Sequence, residues 1–538
     1  MTTITNRSKQ KRKTPRIAHV MATGALLIPL GAEAIQLNVG GPRTEAFIDT
    51  TISVGGIWRA EDPDDDNVSA SNSNFEQSGE LVSPPLKLTV EAGYSRNSTG
   101  VFIRGSYIYD AKIQGLDDDD FTITTDSQNA IGNKFQLLDA FVYSSFVFND
   151  NILSGRIGNQ VLSWGESTFI TNSLNTVNPV DLTKARGAAV ELKDILLPLP
   201  IVSATFDFGG IISLETYYVA AWQETIVDPV GTFFSTLDVV GEGALPVTLP
   251  GTEALGAAGI VPRISDIDAD DGGEYGFALR GLIEDWAFME IAVYYIRQHS
   301  HAPYLQVTQG SSLAAPGIPN FSTGSYQLIY PEDIDVYGSS FNVDLPGKLG
   351  LSLAGEVSHR PNVPLSLGES TFSFFGALGL GATQSGFSNG ELTQIQTTIT
   401  YQGGSNNWFG ANKMTILVEP GVVLANIPSD GIFDAAAFAE QDERSWGYVT
   451  TLQLEYSDAL LALTLEPSAT FRHDVKGSSP GAPSGTFLQD RKSLTLAMTA
   501  TYLTSSTFDI GYTRNWGNED INSAHDRDFF ALTLKTSF

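Results

Sequence analysis

The sequence F-F-A-L-T-L-K-T-S-F, from Phe529 to Phe538, alternates strongly apolar residues with small or polar ones. One set of alternate positions contains Phe530, Leu532, Leu534 and Phe538, with threonine as its only polar member. A period of two residues is that of an extended strand with one apolar and one polar face. A closed transmembrane barrel pairs such a last strand with its first. The stretch therefore predicts a membrane β-barrel, with the edge strand of a soluble sandwich as the alternative.

The first 34 residues have the pattern of a secretory signal peptide. A basic region that ends at Arg16 precedes the mostly apolar stretch 17–31, and residues 32–34 form an A-x-A site. We expect cleavage before Ile35. The apolar stretch has 15 residues, and a membrane-spanning helix needs ~20. A chain that crosses a membrane would therefore do so with strands.

The chain is strongly acidic, with 31 Lys and Arg residues against 61 Asp and Glu residues. Six basic residues and one acidic residue lie in the signal peptide, which leaves a net charge of −35 for the remainder. This balance argues against nucleic acid as a partner. The acidic runs 61–66, 117–120 and 266–271 fit solvated loops, or alternatively loops that bind divalent cations at a lipopolysaccharide surface.

Alternating segments recur along the chain, and we predict a hairpin at 86–94 and 101–109 with its turn at 95–100. Strands of about nine residues suit a tilted transmembrane strand. Short turns alternate with long polar loops, as in outer-membrane barrels. With no cysteine for disulfides, a closed hydrogen-bond ladder would hold the exported chain. We predict an all-β transmembrane antiparallel β-barrel over residues 35–538, with about 16 strands and a range of 14–18.

Three stretches interrupt the strand rhythm. Residues 164–200 have partly helical character over 180–197, and in a barrel they would form a helical or irregular plug in the lumen. Residues 229–262 and 364–382 are long, weakly charged and apolar. Exposed apolar loops of this length are a liability unless they bind something. We therefore expect these two loops to collect a lipophilic ligand outside the barrel.

The residues that lead into the insert supply candidates for the plug and lumen: Arg156, Gln160, Trp164, Glu166 and Asp181. The first three share one strand phase, and an arginine facing lipid at the midplane costs ~2–4 kcal/mol. That phase should therefore face the lumen. We expect Arg156 to pair with Glu166 or Asp181 and hold the insert inside, the alternative being an ion pair with no gating role.

Catalytic chemistry is not indicated. His299 and His301 could share one face of a strand as metal ligands do, but no third histidine and no cysteine lies near them in sequence. The glycines of 376–381 lack the strand-to-helix context of a nucleotide loop. We expect no catalytic, cofactor-binding or metal-binding residue and no enzyme activity.

Several motifs in a fixed order resemble a known family. They are R-I-G-N-Q-V-L-S-W-G-E-S-T-F-I (156–170), N-P-V-D (178–181), L-L-P-L-P (196–200), D-P-V-G-T-F-F-S-T (228–236), P-E-D-I-D-V-Y-G-S-S-F (331–341) and G-E-V-S-H-R-P-N-V-P-L (355–365). Their order resembles the proteobacterial outer-membrane family called domain of unknown function 1302. The resemblance implies an outer-membrane barrel similar in role to long-chain fatty-acid transporters. It supplies no substrate-binding residues for this chain.

We therefore expect an outer-membrane channel for lipophilic small molecules such as long-chain fatty acids, alkanes or related lipids. Alternatives are a general polar-solute porin, an outer-membrane lipid-modifying enzyme, or a structural or adhesive barrel. The expected partners are the lipophilic molecule, outer-membrane lipid or lipopolysaccharide, and a periplasmic or inner-membrane transport protein. The terminal strand also resembles the signal that the barrel-assembly machinery reads, so this machinery is a further expected partner.

Overall fold

The last strand of the chain pairs with the first long strand in the computed structural model. Phe529–Ser537 runs antiparallel to Thr44–Arg59 over nine residue pairs. Backbone hydrogen bonds of 2.9 Å in both directions between Thr50 and Phe538 extend this pairing. The sheet is therefore closed where the alternating terminal stretch predicts closure.

The structure describes residues 35–37, 41, 43–67, 69–116, 123–186, 192–249, 252–347, 349–366, 378–427, 441–460, 462–481, 485–503 and 505–538. The signal peptide expected at 1–34 lies outside these residues and stays a prediction. Most of the apolar stretch expected at 364–382 also lies outside them.

One antiparallel sheet of 20 strands forms the molecule's wall. Ile35–Gln36 and Leu81–Ser83 are short additions to the first barrel strand. The other eighteen, numbered β1 to β18 in chain order, are Thr44–Arg59, Pro85–Arg96, Thr99–Asp110, Asn133–Phe148, Asn151–Gln160, Leu199–Phe208, Ile212–Val219, Tyr275–Ile283, Met289–Gln298, Ile334–Asp344, Leu351–Ser366, Phe387–Gly403, Lys413–Asn426, Arg444–Leu460, Leu463–Lys476, Lys492–Tyr502, Ser506–Trp516 and Phe529–Ser537. Each pairs with the next, and β18 pairs with β1. The predicted all-β barrel is confirmed, with more strands than the 16 expected but within the stated range.

The outer face of the barrel is apolar. In β2, Leu86, Leu88 and Val90 are between 37% and 44% exposed, whereas Thr89 on the opposite face is buried. The same alternation recurs in β16, where Leu496 is 47% exposed. A closed barrel leaves no sheet edge unpaired, and its apolar outer face can contact the hydrocarbon of a bilayer. The molecule is therefore an outer-membrane β-barrel.

The two ends of the barrel differ. At one end the connections are short and hold residues 97–98, 149–150, 209–211, 284–288, 345–350, 404–412, 461–462 and 503–505. Every connection at the other end is longer. Short turns face the periplasm and long loops face the outside in barrels of this kind.

The short helices and small sheets lie in the long loops, except for the 3-10 turn Glu284–Trp286, which lies in the short connection 284–288. The α-helices are Ala70–Asn74, Thr125–Gly132 and Leu192–Ile195, and the 3-10 turns are Ile113–Gly115, Leu182–Lys184, Glu253–Gly259, Glu284–Trp286 and Phe321–Thr323. The remaining strands are Val247–Thr248 with Ile260–Val261, Leu313–Ala315 with Ile318–Pro319, and Ser325–Ile329 with Tyr304–Thr308 and Thr383–Ser385. None of the helices in the described ranges is long and apolar enough to cross a bilayer.

The apolar loop expected at 229–262 is packed rather than exposed. Phe233 is buried with Phe75 and Phe529 at the barrel rim. Leu249 and Val261 are buried in a second cluster, with side chains of the three-stranded sheet. The expectation that this loop offers an apolar surface to a ligand is wrong for these residues, because its side chains form the core of the loop region itself.

A buried polar cluster also fixes this loop region to the barrel rim. Arg59 and Arg527 are 0% and 2% exposed, and both donate to the side-chain oxygen of Asn72. Both guanidinium groups also pair with Asp526. They lie 5.4 and 5.9 Å from the ring centre of Phe233. Charges buried this fully are retained only when they are paired and hydrogen-bonded, so the cluster joins three loops into one layer.

Candidate functional site: the lumenal strap

The connection between β5 and β6 turns into the barrel. We call its described residues, 161–186 and 192–198, the strap. Trp164 and Leu174 are buried against Ala278 and Tyr294 of the wall. These wall residues alternate with lipid-facing ones such as Val293, which is 55% exposed. They therefore face the lumen, and the strap packs against the inside of the barrel.

Trp164 fixes the beginning of the strap. Its indole nitrogen donates to Glu215 at 2.9 Å, and Arg280 donates to the other oxygen of the same carboxylate at 3.1 Å. The ring lies 5.0 Å from the ring of Tyr217 and 5.8 Å from that of Tyr294. Aromatic pairs at these distances add stabilisation beyond their buried area. The W-G-E-S stretch thus begins with an anchor on the β7–β9 wall.

Glu356 of β11 binds the next residues of the strap through their backbone. It is 4% exposed, and it accepts from the N–H groups of Glu166 at 2.5 Å, Ser167 at 3.1 Å and Leu174 at 3.3 Å. Gly165 has a φ of +91°, and a β-carbon there would lie 2.4 Å from the carboxylate. Glycine is therefore required at this position both for its backbone conformation and for the close approach.

Glu419 of β13 repeats this arrangement two strands further on. Its side chain is fully buried. It accepts from the N–H groups of Thr168 at 3.0 Å, Phe169 at 3.1 Å and Ile170 at 2.7 Å. The hydroxyl of Thr398 donates to the same carboxylate at 3.1 Å. Hydrogen bonds to an ionised acceptor are stronger than neutral ones, so these two glutamates hold the strap residues 166–170 against the wall.

Wall side chains also satisfy the carbonyl groups of this part of the strap. Arg360 donates to the carbonyl oxygen of Ser173 at 2.6 Å, and Gln394 donates to that of Thr171 at 2.8 Å. Ser173 further contacts Ser358, with 3.2 Å between the two hydroxyl oxygens. A backbone without regular secondary structure must find such partners when it is buried.

The second half of the strap binds the opposite wall. Asp194 pairs with Lys87 of β2 at 2.8 Å, and Lys193 lies 3.6 Å from Glu91. Arg104 of β3 donates to the carbonyl oxygen of Lys193 at 2.8 Å. In a ring of eighteen strands, β3 and β12 are nine apart and face each other. The strap therefore crosses the lumen. It is largely irregular, so the helical character expected over 180–197 is limited to two short turns among the described residues.

The predicted residues of β5 have different surroundings. Gln160 is 1% exposed, donates to the carbonyl oxygen of Ile201 at 2.8 Å and accepts from Ser203 at 3.3 Å. It thus supports the base of the strap. The guanidinium of Arg156 lies 5.5 Å from the ring centre of Phe141, and the side chain is exposed.

The expected ion pair between Arg156 and either Glu166 or Asp181 is wrong. Glu166 accepts instead from Asn342 of β10 at 2.9 Å. Asp181 pairs with Lys184 at 3.1 Å. The alternation along a strand indicates whether a residue faces the lumen or the lipid. It does not indicate which barrel strand Glu166 reaches after the chain leaves β5.

Glu356 and Glu419 were not among the sequence candidates. A signal for them exists, because each is a lone carboxylate on the lumenal phase of an otherwise uncharged part of a strand. Glu356 also lies four residues before Arg360 on the same face. The sequence cannot show that their partners are backbone N–H groups, since any residue type supplies those.

The extracellular end of the strap meets the two candidate metal-binding histidines. His301 Nδ1 lies 2.7 Å from the carbonyl oxygen of Gln223, and its Nε2 lies 3.2 Å from that of Val177. Burial lowers the pKa of His301 to about 4 and raises the pKa of Glu274, 3.6 Å away, to about 7. The His299 ring faces a different backbone carbonyl at 2.8 Å. Both rings are thus engaged with the backbone.

Two G-x-S-x-G stretches, at residues 386–390 and 477–481, have the spacing of a catalytic serine turn. The first lies at the beginning of β12, where Ser388 pairs with Leu365 of β11. The second follows the end of β15, where the Ser479 hydroxyl accepts from the N–H of Phe487 at 2.8 Å. A nucleophile of this type needs a sharp turn from strand to helix. The first stretch continues as a strand and no helix follows the second among the described residues, so neither forms that turn.

The strap covers only part of the inner wall. On the covered side, Ala278 and Ile296 are fully buried. On the side formed by β14–β18 and β1, Thr451, Thr470 and Thr495 are partly exposed, although they lie on the lumenal phase. Hydroxyl pairs link neighbouring strands here, with oxygen distances of 3.0 Å. This wall therefore borders an accessible space, which we call the lateral passage.

A disulfide tests the position of the strap. The chain has no cysteine, so Ser173→Cys with Ser358→Cys introduces a single pair. We expect rapid disulfide formation under mild oxidation, because the two hydroxyl oxygens are 3.2 Å apart. Arg156→Cys with Glu166→Cys is the control and should stay reduced. Crosslinking of the control pair alone would contradict the described path.

Neutralising the two glutamates tests what holds the strap. Hydrogen bonds to charged groups contribute about 1.5–3 kcal/mol each, so the double variant Glu356→Gln, Glu419→Gln should loosen the strap. We expect frequent transitions to a higher-conductance level in planar bilayers. Glu391→Gln, the same change at an exposed position of β12, should behave as the unaltered protein. Identical current traces for all three proteins would show that the glutamates do not retain the strap.

Three solved structures have a fold similar to that of this barrel. The barrel is similar to Acinetobacter baumannii OccAB1 at 10% identity, covering 92% of this chain and 96% of that one with a TM-score of 0.46. A BenF-like porin from Pseudomonas fluorescens Pf-5 matches at 10% identity, with coverage of 92% and 98% and a TM-score of 0.43. Pseudomonas aeruginosa OpdK with vanillate matches at 8% identity, with the same two coverages and a TM-score of 0.43. No curated protein gave a sequence match. The family model described as "Protein of unknown function (DUF1302)" matches residues 16–538, and the chain belongs to this family.

Proposed function

We propose that this protein is an outer-membrane channel that conducts small polar solutes through the lateral passage. The observation that carries the proposal is the contrast between the two inner walls. One wall is buried beneath the strap, and the other keeps its hydroxyl groups accessible. A barrel of eighteen strands is wide enough for an aqueous channel, and the strap narrows it to one side.

The chemistry of the lateral passage suits hydrophilic solutes. Threonine hydroxyls can replace the hydrogen bonds that a solute loses when it leaves water. Glu455 and Glu466 face the same side, on β14 and β15, and remain partly exposed. Carboxylates that line a pore favour cations over anions. We therefore propose neutral and cationic solutes as the preferred class.

Lipophilic transport, which the sequence favours, is the less supported hypothesis. It requires apolar surfaces that collect the ligand outside and an apolar route inward. In the described part of 229–262, the large side chains are buried in the packed loop region. The lateral passage offers hydroxyl and carboxylate groups. The hypothesis remains testable in the same assay.

The other expectations on activity and partners also stay predictions. They are the absence of enzyme activity, the binding of lipopolysaccharide, and the partnership with a periplasmic or inner-membrane transport protein. Recognition of the strand that ends at Phe538 by the barrel-assembly machinery also stays a prediction.

Uptake into proteoliposomes tests the proposed substrate class. We expect entry of labelled small sugars and amino acids and no acceleration of oleate or hexadecane uptake. Thr495→Trp should reduce polar-solute entry several-fold, because Thr495 lies on the accessible lumenal face. Leu496→Trp is the matched control, since Leu496 is 47% exposed on the lipid face, and it should leave entry unchanged. Uptake of the lipophiles alone would overturn the proposal in favour of lipid transport.

A further inference from the structure

The turn between β12 and β13, residues 404–412, folds against the outside of the barrel. Met414 and Ile416 lie on the opposite face of β13 from lumenal Glu419, so they are on the lipid side. Met414 is nevertheless only 6% exposed, because it packs with Ala411 of the turn and Leu454 of β14. The turn thus covers a small part of the wall that lipid would otherwise contact.

Asn407 gives this turn a fixed shape. Its side-chain oxygen accepts from the N–H groups of Phe409 at 3.0 Å and Ala411 at 3.2 Å. Its side-chain nitrogen donates to the carbonyl oxygens of Gly404 at 2.9 Å and Ala411 at 2.7 Å. Tyr456 donates to the carbonyl oxygen of Phe409 at 3.0 Å. These hydrogen bonds fix the backbone of the turn, so its exposed side chains have defined positions.

The side chains that this turn presents are aromatic. Trp408 is 98% exposed and Phe409 is 50% exposed. Between them and the outer wall lies a groove of ≈ 380 Å³ that is lined mainly by apolar side chains. The lining includes Trp408, Phe409, Ile416, Leu452, Phe471 and Leu494. We call this space the outer groove.

The outer groove is continuous with the lipid-facing surface. Leu496 and Met498, next to Leu494 on the same face of β16, are 47% and 38% exposed. In the membrane this surface is covered by hydrocarbon. Residues 404–412 are one of the short connections, so the turn lies in the periplasmic leaflet, which consists of phospholipid. The occupant available to the groove is therefore an acyl chain.

The exposed side chain of Trp408 also favours an acyl chain as the occupant of the outer groove. An indole combines an apolar ring with one N–H donor, and tryptophan is enriched where hydrocarbon meets the lipid headgroups. In water, a fully exposed indole on a rigid turn would leave a large apolar surface hydrated, which is unfavourable. At the interface, its ring can lie along an acyl chain while its N–H donates to an ester or phosphate oxygen.

We propose that the outer groove binds one acyl chain of a periplasmic-leaflet phospholipid, with Trp408 at the level of the headgroup. The proposal is independent of the solute that passes through the barrel, because the groove and the lateral passage lie on opposite faces of the wall.

Retention of phospholipid during purification tests the proposal. The protein is extracted in mild detergent, and the bound phosphatidylethanolamine is counted by native mass spectrometry. We expect one retained lipid in the unaltered protein and at least a five-fold loss with Ala469→Trp, which fills the groove. Ala500→Trp places the same residue on the lipid face of β16 outside the groove, and it should retain the lipid. Equal retention in both variants would overturn the proposal.

Quenching of Trp408 fluorescence gives a second readout that does not depend on filling the groove. The chain has seven tryptophans, so the Trp408 signal is the difference between the unaltered protein and Trp408→Phe. In vesicles of phosphatidylcholine brominated near the headgroup, we expect this difference signal to be quenched at least two-fold. Aqueous acrylamide should quench it weakly. Strong quenching by acrylamide with none by the brominated lipid would place the turn in water and contradict the proposal.

Discussion

The structure depends on two buried carboxylates that bind a polypeptide backbone. Glu356 and Glu419 project from the barrel wall into the lumen, where each would be costly if it lacked partners. The strap supplies N–H groups at 2.5–3.3 Å to both. Neither the charges nor the irregular backbone could be buried alone, and each satisfies the other. This mutual requirement explains why a segment without regular secondary structure has a defined place inside the barrel.

The asymmetry of the lumen follows from this interaction. The strap is bound by side chains of β11–β13 on one side and of β2 and β3 on the other, so it crosses the barrel. The strap buries lumenal residues such as Ala278 of β8, Ala292 of β9 and Ile296 of β9. On β14 to β16, lumenal hydroxyl groups such as those of Thr451, Thr470 and Thr495 remain partly accessible. A passage at one side of a crossing segment can discriminate by size and polarity, which an open barrel of eighteen strands could not do.

The sequence predicts most of the barrel strands, because each strand has one face toward lipid and one toward the lumen. Apolar and polar residues therefore alternate along it. The hairpin at Pro85–Arg96 and Thr99–Asp110 and the closing strand at Phe529–Ser537 show clear alternation. Strand β6, Leu199–Phe208, does not, since Leu199 and Ile201 on its lumenal face are apolar residues buried against the strap. The sequence predicts a plug over residues 164–200 with Trp164 and Gln160 among its candidates, and the strap comprises the described residues of 161–198. The contacts of Glu356 and Glu419 with the strap cannot be predicted from sequence, because every residue type except proline supplies a backbone N–H group. The alternation along a strand also does not determine where the strap lies within the lumen.

The central claim is that the strap covers one inner wall and leaves the other open to water. Reaction of single cysteines with a membrane-impermeant thiol reagent measures this directly in the reconstituted protein. The account predicts rapid labelling of Thr470→Cys, on the open wall, and at least ten-fold slower labelling of Ala292→Cys, which replaces a residue that is 3% exposed beneath the strap. Labelling at similar rates at both positions would contradict it.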